Sequence, residues 1–313
     1  MRAAFIESYG QTPTITDLPE PEVDAPLGTV LAAGINPVDL TISGGEYYAI
    51  RPKPPYTPGM EGVARRADGS LVYFSRPGDL KHGSLAQQVT LDDEQSFVLG
   101  NDTDPIAAVG CGIAGISSWM AVNTYAQVKE GDKVVIVGAT GAAGLMAVQA
   151  AKLAGASQIV AIGRNEARLA RAQELGATDT IRFHVAMYYH QVEIGKLTGG
   201  GHDVTIDFTW GPPAQAALMS SAKHARFVNV GNSAAPGSGI SAGDLRALDL
   251  TLRGFSIWNQ SLASREQAFN ELLGHVQAGR VQLDAETVGL DDVPSAWERQ
   301  ATSPGTKLVV ATA

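Results

Sequence analysis

Apolar residues fall into two textures along the chain, and the change between them comes just after Gly115. Up to about residue 110, short β-like runs are broken repeatedly by Pro and Gly: AAFIES (3–8), GTVLAAGIN (28–36) and SLAQQVTL (84–91). Runs punctuated in this way predict a mostly β segment. RPKPPYTPGM (51–60) connects two of them and cannot be helical, because each proline removes an amide donor and clashes with the turn before it.

After Gly115 continuous apolar runs alternate with helical patterns. VVIV (134–137) precedes a helix over 142–154, QIVAI (158–162) one over 165–175, and DVTIDF (203–208) one over 213–223. RFVNV (226–230) and LTLRGFSI (250–257) complete the set of strands. Strand and helix alternating at these lengths imply βαβ units and a parallel sheet covered on both faces. A last helix is expected from an N-cap at Ser264 to Gly279, and TKLVVAT (306–312) reads as a strand. The chain tail can thus return to complete the first β segment, interrupted by the βαβ region.

The segment KVVIVGATGAAGLMAVQAAKLAGA (133–156) carries candidate chemistry. A buried strand runs into Gly138, Gly141 and Gly144, and an Ala-rich helix follows at once. Glycines at such a turn let the backbone approach a diphosphate and let helix and strand pack closely, while amides at the helix start face the anion. Thr140, Ala142 and Ala143 belong to the same turn. The spacing is GxxGxxG rather than GxGxxG, and a turn without ligand is the alternative; its place inside a repeated βα pattern favours the nucleotide. At the end of the second strand stand Gly163, Arg164 and Asn165, with Arg168 one helical turn on. NAD sites place Asp or Glu there; an arginine suits a ribose 2′-phosphate, so NADPH is expected.

Composition narrows the remaining choices. The 313 residues exceed one ordinary domain, and 44% hydrophobic with 18% charged residues is a globular balance. A net charge of −9 argues against nucleic acid or an anionic membrane as partner. There is no run of about eighteen apolar residues and no leader-like start, so no membrane span and a cytoplasmic address are expected. Cys111 is the single cysteine, within AAVGCGIAG, and reads as a small buried residue. One thiol and six histidines without HExxH spacing predict no metal site.

The chain resembles the zinc-independent medium-chain dehydrogenase/reductases, quinone oxidoreductase group, over essentially its whole length. AAGINPVDL (32–40), PPYTPGMEG (54–62), GSLAQQV (83–89), VVIVGATGAAG (134–144), ELGATDTI (174–181), LTGGGHDVTIDFTWG (197–211) and LRGFSIW (252–258) carry the resemblance in order. Related alcohol dehydrogenases hold zinc with a Cys and a His where this chain has Asn36 and Met60, with Glu61 retained. The stretch between Ala64 and Leu85 departs from the pattern, being shorter and lacking a Gly-Asp-Arg-Val turn. HVAMYYHQ (184–191) is unusually aromatic, and Met187, Tyr188 and Tyr189 are expected to pack.

The resemblance implies a Rossmann-type doubly wound parallel sheet (116–258), inserted into a mostly β, GroES-like catalytic domain (1–115 and 259–313). It implies that Asn36, Asp39 and Tyr47 line the catalytic cleft. Ser117, Thr209, Gly231, Asn232, Phe255 and Trp258 join the turn residues as cofactor contacts. Strand 250–257 is the edge through which such enzymes form homodimers. The implied reaction is metal-free hydride transfer from NADPH to a quinone or α,β-unsaturated carbonyl. A metal-free carbonyl reductase and a non-catalytic NADPH-binding protein stay open, as do plainer roles. Asn36 and Asp39 can cap the turn around Pro37, and Tyr47 can pack on Pro54 and Pro55.

Overall fold

The Pro- and Gly-punctuated first segment forms seven strands: β1 (Arg2–Phe5), β2 (Thr14–Asp17), β3 (Leu27–Ile35), β4 (Glu61–Arg66), β5 (Leu71–Phe74), β6 (Gln88–Thr90) and β7 (Ser96–Val98). These come from a computed structural model described over residues 1–22, 25–184 and 187–312. Helix α1 (Pro37–Ser43) follows β3, and α2 (Pro105–Cys111) closes the segment. β3 pairs antiparallel with β4 and β6, β4 with β5, and β5 with β7.

The second segment opens with α3 (Ile113–Met120) and a π-helical turn at Ala121–Tyr125. It then alternates β8 (Lys133–Val137), α4 (Ala142–Leu153), β9 (Gln158–Gly163), α5 (Glu166–Leu175), β10 (Asp179–Arg182) and α6 (Met187–Leu197). β11 (Val204–Asp207), α7 (Gly211–Met219), β12 (Arg226–Asn229), α8 (Ala242–Leu248) and β13 (Thr251–Gly254) complete it. Every pairing is parallel, in the order β10-β9-β8-β11-β12-β13. Counted from β8 this is 3-2-1-4-5-6, the doubly wound order in which ligands bind beyond the carboxyl ends of the strands. Val134–Val137 of β8 are all buried, as a central strand covered on both faces requires.

The tail adds α9 (Leu262–Gln277), β14 (Ala285–Gly289), α10 (Val293–Ala301) and β15 (Lys307–Ala311). β15 runs antiparallel to β3, so the end of the chain is built into the first sheet. Val30, Ile35, Phe74, Trp297, Leu308 and Val310 share its core, each large side chain contributing about 1.5–3 kcal/mol by leaving water. Residues 1–114, 261–278 and 283–313 make one compact unit, and 115–260 with 279–282 the other. The fold is the α/β arrangement expected, a Rossmann-type parallel sheet and a separate, mostly antiparallel one.

Several expectations need correction. Helix α9 starts at Leu262, because Ser261 rather than Ser264 is its N-cap and accepts the Ser264 N–H. Helix α7 covers 211–219 instead of 213–223: Pro212 and Pro213 suit its first turn, where no amide donor is needed. The expected strand over 250–257 is only four residues long, β13, before the chain bends. Tyr188 and Tyr189 do not pack inward but stand exposed on α6, at 74% and 55%. The Met187 side chain, with Val185 and Ala186, lies outside the described residues. Helices α6, α8 and α10 were not expected from sequence.

Candidate functional site

In the parallel-sheet unit, β8 leads into a turn that depends on glycine. Gly138 sits at φ +84, and a Cβ there would meet the Thr209 methyl at 2.8 Å. A Cβ on Gly144 would collide with the Gly138 carbonyl and the Ala139 backbone, and one on Gly163 with the Thr140 side chain. Gly141 is the N-cap of α4 and has no side chain with which to cap it. The first-turn N–H groups of Ala142, Ala143 and Gly144 therefore lack both an intrahelical carbonyl and a capping group, and the positive helix end lies behind them. Such a helix end can cradle an anion. Ser118 Oγ ties it to α3 by donating to the Ala143 carbonyl at 2.7 Å, while Ser117 lies buried on the same helix.

At the end of β9, Arg164 is exposed. Asn165 caps α5, its side chain accepting the Arg168 N–H at 3.1 Å. Arg168 Nε reaches the Thr140 carbonyl at 3.5 Å, which sets its guanidinium beside the glycine turn. Glu166 is drawn off to Arg182 at 2.6 Å.

The loops after β11 and β12 are tied by Asp207. Its buried carboxylate accepts from the Thr209 N–H (2.9 Å) and hydroxyl (3.0 Å), the Trp210 N–H (3.1 Å) and the Asn229 amide (2.8 Å). Burial lifts this carboxyl above the ordinary range, opposed by the donors from Thr209, Asn229 and Trp210. Asn229 also donates to the Gly231 carbonyl at 2.8 Å, so Thr209, Gly231 and Asn232 are held at the carboxyl edge of the sheet. Phe255 packs edge-on against Tyr125 at 4.9 Å, and Trp258 follows in a single 3₁₀ turn.

The mostly antiparallel unit holds a second cluster, wholly buried. Glu61, at 0% exposure, is saturated. One carboxylate oxygen accepts from Lys307 Nζ and from Asn36 Nδ2 (2.8 Å), the other from the Tyr73 hydroxyl (2.9 Å) and the Ile113 N–H (2.5 Å). Lys307 Nζ also donates to Asn36 Oδ1 at 2.5 Å. Asp39 accepts the Asn36 N–H at 2.8 Å and the Met60 N–H at 3.0 Å, which closes the start of α1 as half of a capping box. Burial pushes the Asp39 carboxyl up to about 7, against the pull of the Asn36 hydrogen bond and the Lys307 charge. Burial likewise raises the Tyr73 hydroxyl, with the Glu61 charge adding to it, and lifts the Cys111 thiol to about 12, the behaviour of an inert core residue.

Asp39 also lines a recess with Ile42, Tyr56, Pro58, Met60 and Leu80. The Tyr56 hydroxyl is buried there without a hydrogen-bond partner among the described residues. Tyr47 is half-buried, its ring 4.7 Å from that of Tyr48; burial and the Tyr48 hydrogen bond raise its hydroxyl above the ordinary tyrosine value. Sequence reasoning missed Lys307, Tyr73, Tyr56, Ser118 and Asp207. Asp207, a carboxylate ending an apolar strand, carried some signal; a lysine opening the last strand carried none.

A six-stranded 3-2-1-4-5-6 sheet with an anion cradle defines a dinucleotide-binding protein, here with a second, mostly antiparallel unit. Residues 142–277 match the family model described as zinc-binding dehydrogenase. The chain is 27% identical over 272 residues to the quinone oxidoreductase of Sus scrofa, covering 84% of this chain and 79% of that one. It is also 27% identical over 207 residues (64% of this chain) to a mycocerosic acid synthase-like polyketide synthase of Mycobacterium tuberculosis, and spans only 10% of that much longer relative. The quinone oxidoreductase of Thermus thermophilus, solved also with NADPH, superposes with a TM-score of 0.83 at 26% identity, covering 100% of each chain. Over most of its length the chain is thus similar to quinone oxidoreductases, and within residues 142–277 to the zinc-binding dehydrogenase family model.

The zinc in that family description can be tested on the donors present. Asn36 and Met60 offer no anionic ligand, and the Glu61 carboxylate is already saturated and lies against the Lys307 ammonium. Among the described residues no three His, Cys, Asp or Glu side chains come together as a metal site. This donor set does not fit a divalent cation.

Proposed function

We propose that the protein is an NADPH-dependent oxidoreductase that delivers hydride, without a metal, to a quinone or an α,β-unsaturated carbonyl. The end of β9 carries the cofactor choice: Arg164 is exposed there, Arg168 stands beside the glycine turn, and Glu166 is neutralised by Arg182. The amides of Ala142, Ala143 and Gly144 would hold the diphosphate, and the two arginines the 2′-phosphate. Thr209, Gly231, Asn232, Ser117, Phe255 and Trp258 complete the cofactor set in this reading, and the bound nicotinamide supplies the hydride.

Hydride addition to a conjugated acceptor leaves a delocalised oxyanion, which hydrogen bonds can stabilise without a Lewis acid. Asn36 is the donor in this reading. Its Oδ1 is held by Lys307 and its Nδ2 by Glu61, with Asp39 as a further side-chain partner, and the acceptor oxygen would draw on the same Nδ2 donor. Asp39 fixes Asn36 through its backbone. Tyr47 and Tyr56 are the hydroxyls offered for proton delivery, Tyr56 having no partner among the described residues. A homodimer paired along β13, the outer strand with all four residues exposed, belongs to the same reading. Leu252→Lys should shift the particle towards monomer in gel filtration.

The activity is tested by following NADPH oxidation with 1,4-benzoquinone, an enone and an activated ketone, and identifying the products. Turnover of the first two supports the reading, and turnover of the ketone alone makes the protein a carbonyl reductase. Tight NADPH binding with no turnover makes it a binding protein. Arg164→Ala should weaken NADPH about tenfold or more while leaving NADH nearly unchanged; equal losses refute the 2′-phosphate assignment.

A further inference from the structure

We infer that Lys307 is a positioning residue for this reaction: its buried ammonium dictates which way the Asn36 carboxamide faces, and so where its donor nitrogen points. The inference rests on the role given to Asn36 above.

Lys307 opens β15, lies 271 residues from Asn36 and is 5% exposed. Removing an ammonium and a carboxylate from water costs several kcal/mol each, and apolar residues of the same size often stabilise a core as well or better. Stability alone does not account for the pair. The fold also gives up two side chains to admit it. A Cβ on Gly34 would collide with the Glu61 carboxylate and come within 2.7 Å of Lys307 Nζ, and one on Gly112 would collide with the other Glu61 oxygen.

A carboxamide has two faces of nearly equal shape, one that only accepts and one that only donates. The ammonium can only donate and the carboxylate can only accept. Between them Asn36 has a single satisfied orientation: Oδ1 on Lys307 at 2.5 Å and Nδ2 on Glu61 at 2.8 Å. Flipping it would set an NH₂ against the ammonium and a carbonyl against the carboxylate, two repulsive contacts in a dry interior. The observed orientation turns the donor nitrogen Nδ2 towards carboxylates, Glu61 at 2.8 Å with Asp39 as a further side-chain partner. A donor fixed before the acceptor arrives costs no reorganisation during the reaction. Lys307 is also the ammonium that balances Glu61 and Asp39, and its charge pulls the Asp39 carboxyl down while Glu61 pushes it up.

The test removes both charges together in Lys307→Met/Glu61→Gln, so that neither is left buried alone. Position 61 then both donates and accepts, and Asn36 loses its enforced orientation. In the full chain, with 1,4-benzoquinone as acceptor, kcat should fall about tenfold or more. The NADPH Kd, read by cofactor fluorescence, and the melting temperature should stay near wild type. Lys307→Arg, which keeps charge and donor, should retain most of kcat. Should the double variant fail to fold, Lys307→Gln/Glu61→Gln, which keeps a polar side chain at both positions and leaves no charge, takes its place under the same criterion. Wild-type kcat in the neutral variant overturns the inference while leaving the proposed function intact. A wild-type protein that binds NADPH but reduces no acceptor overturns both.

Discussion

The turn at Gly138–Gly144 and the cluster of Asn36, Glu61 and Lys307 both depend on glycine, for opposite reasons. In the turn, missing side chains leave the backbone amides at the start of α4 uncovered. In the cluster, Gly34 and Gly112 are empty so that charged side chains can be packed inward, against each other. The turn is assembled from one strand and the helix that follows it directly. The cluster joins β3, β4 and β15, with partners up to 271 residues apart. A site of the first kind tolerates the rest of the molecule; a site of the second kind is part of the core and inherits its energetics.

The comparison can be broken most forcefully at Glu61. Glu61→Ala strands the buried Lys307 ammonium and the Tyr73, Asn36 and Ile113 donors, and should cost about 3–5 kcal/mol in denaturant unfolding. A loss below ~1 kcal/mol would mean that the cluster is more hydrated than its burial implies.

Asp39 gives the next effect, in the pH dependence of stability. Its carboxyl is raised from 3.8 to about 7 in the folded protein, so between these values the folded state holds a proton that the unfolded chain has released. Its contribution to stability is therefore greatest below the unfolded value and is lost as pH rises through about 7, a change on the order of a few kcal/mol. Denaturation midpoints of Asp39→Asn should be flatter than wild type across this window. Parallel curves would show that another group sets the slope.

Gly144→Ala tests the turn. Its new Cβ meets the Gly138 carbonyl and the Ala139 backbone, so the loss should be about 1–3 kcal/mol together with weaker NADPH binding. A change confined to the cluster, such as Lys307→Arg, should leave NADPH affinity alone; matching losses would dissolve the distinction between the two regions. The smallest effect belongs to Asn165→Ala, which removes the α5 cap and should cost about 1 kcal/mol by thermal unfolding. Unchanged NADPH affinity would make Asn165 a cap, and a tenfold loss would make it a cofactor contact as well.

Legibility in the sequence follows the same division. VVIV into Gly138, Gly141 and Gly144, then an Ala-rich helix, could be read directly because strand, turn and helix are consecutive. The residues after QIVAI displayed the cation without tertiary information. Element ends were less secure. Ser261 and Ser264 are equally good caps by composition, and in the fold it is Ser261 that has the extended backbone of a cap and accepts the Ser264 N–H. Tyr188 and Tyr189 looked like packing residues because aromatic rings favour burial, yet both stand on an exposed part of α6.

The parallel sheet, its place between two stretches of β structure, the glycine turn and the arginines near it are all written along the chain. Each of these is written in periodicity or in neighbours along the chain, where backbone geometry and side-chain size act locally. The saturation of Glu61 and the single orientation of Asn36 beside Lys307 arise from packing between distant segments. Those facts depend on β15 returning to pair with β3. The energy of a buried charge is set by what stands within a few ångströms of it, and no spacing in the sequence records that.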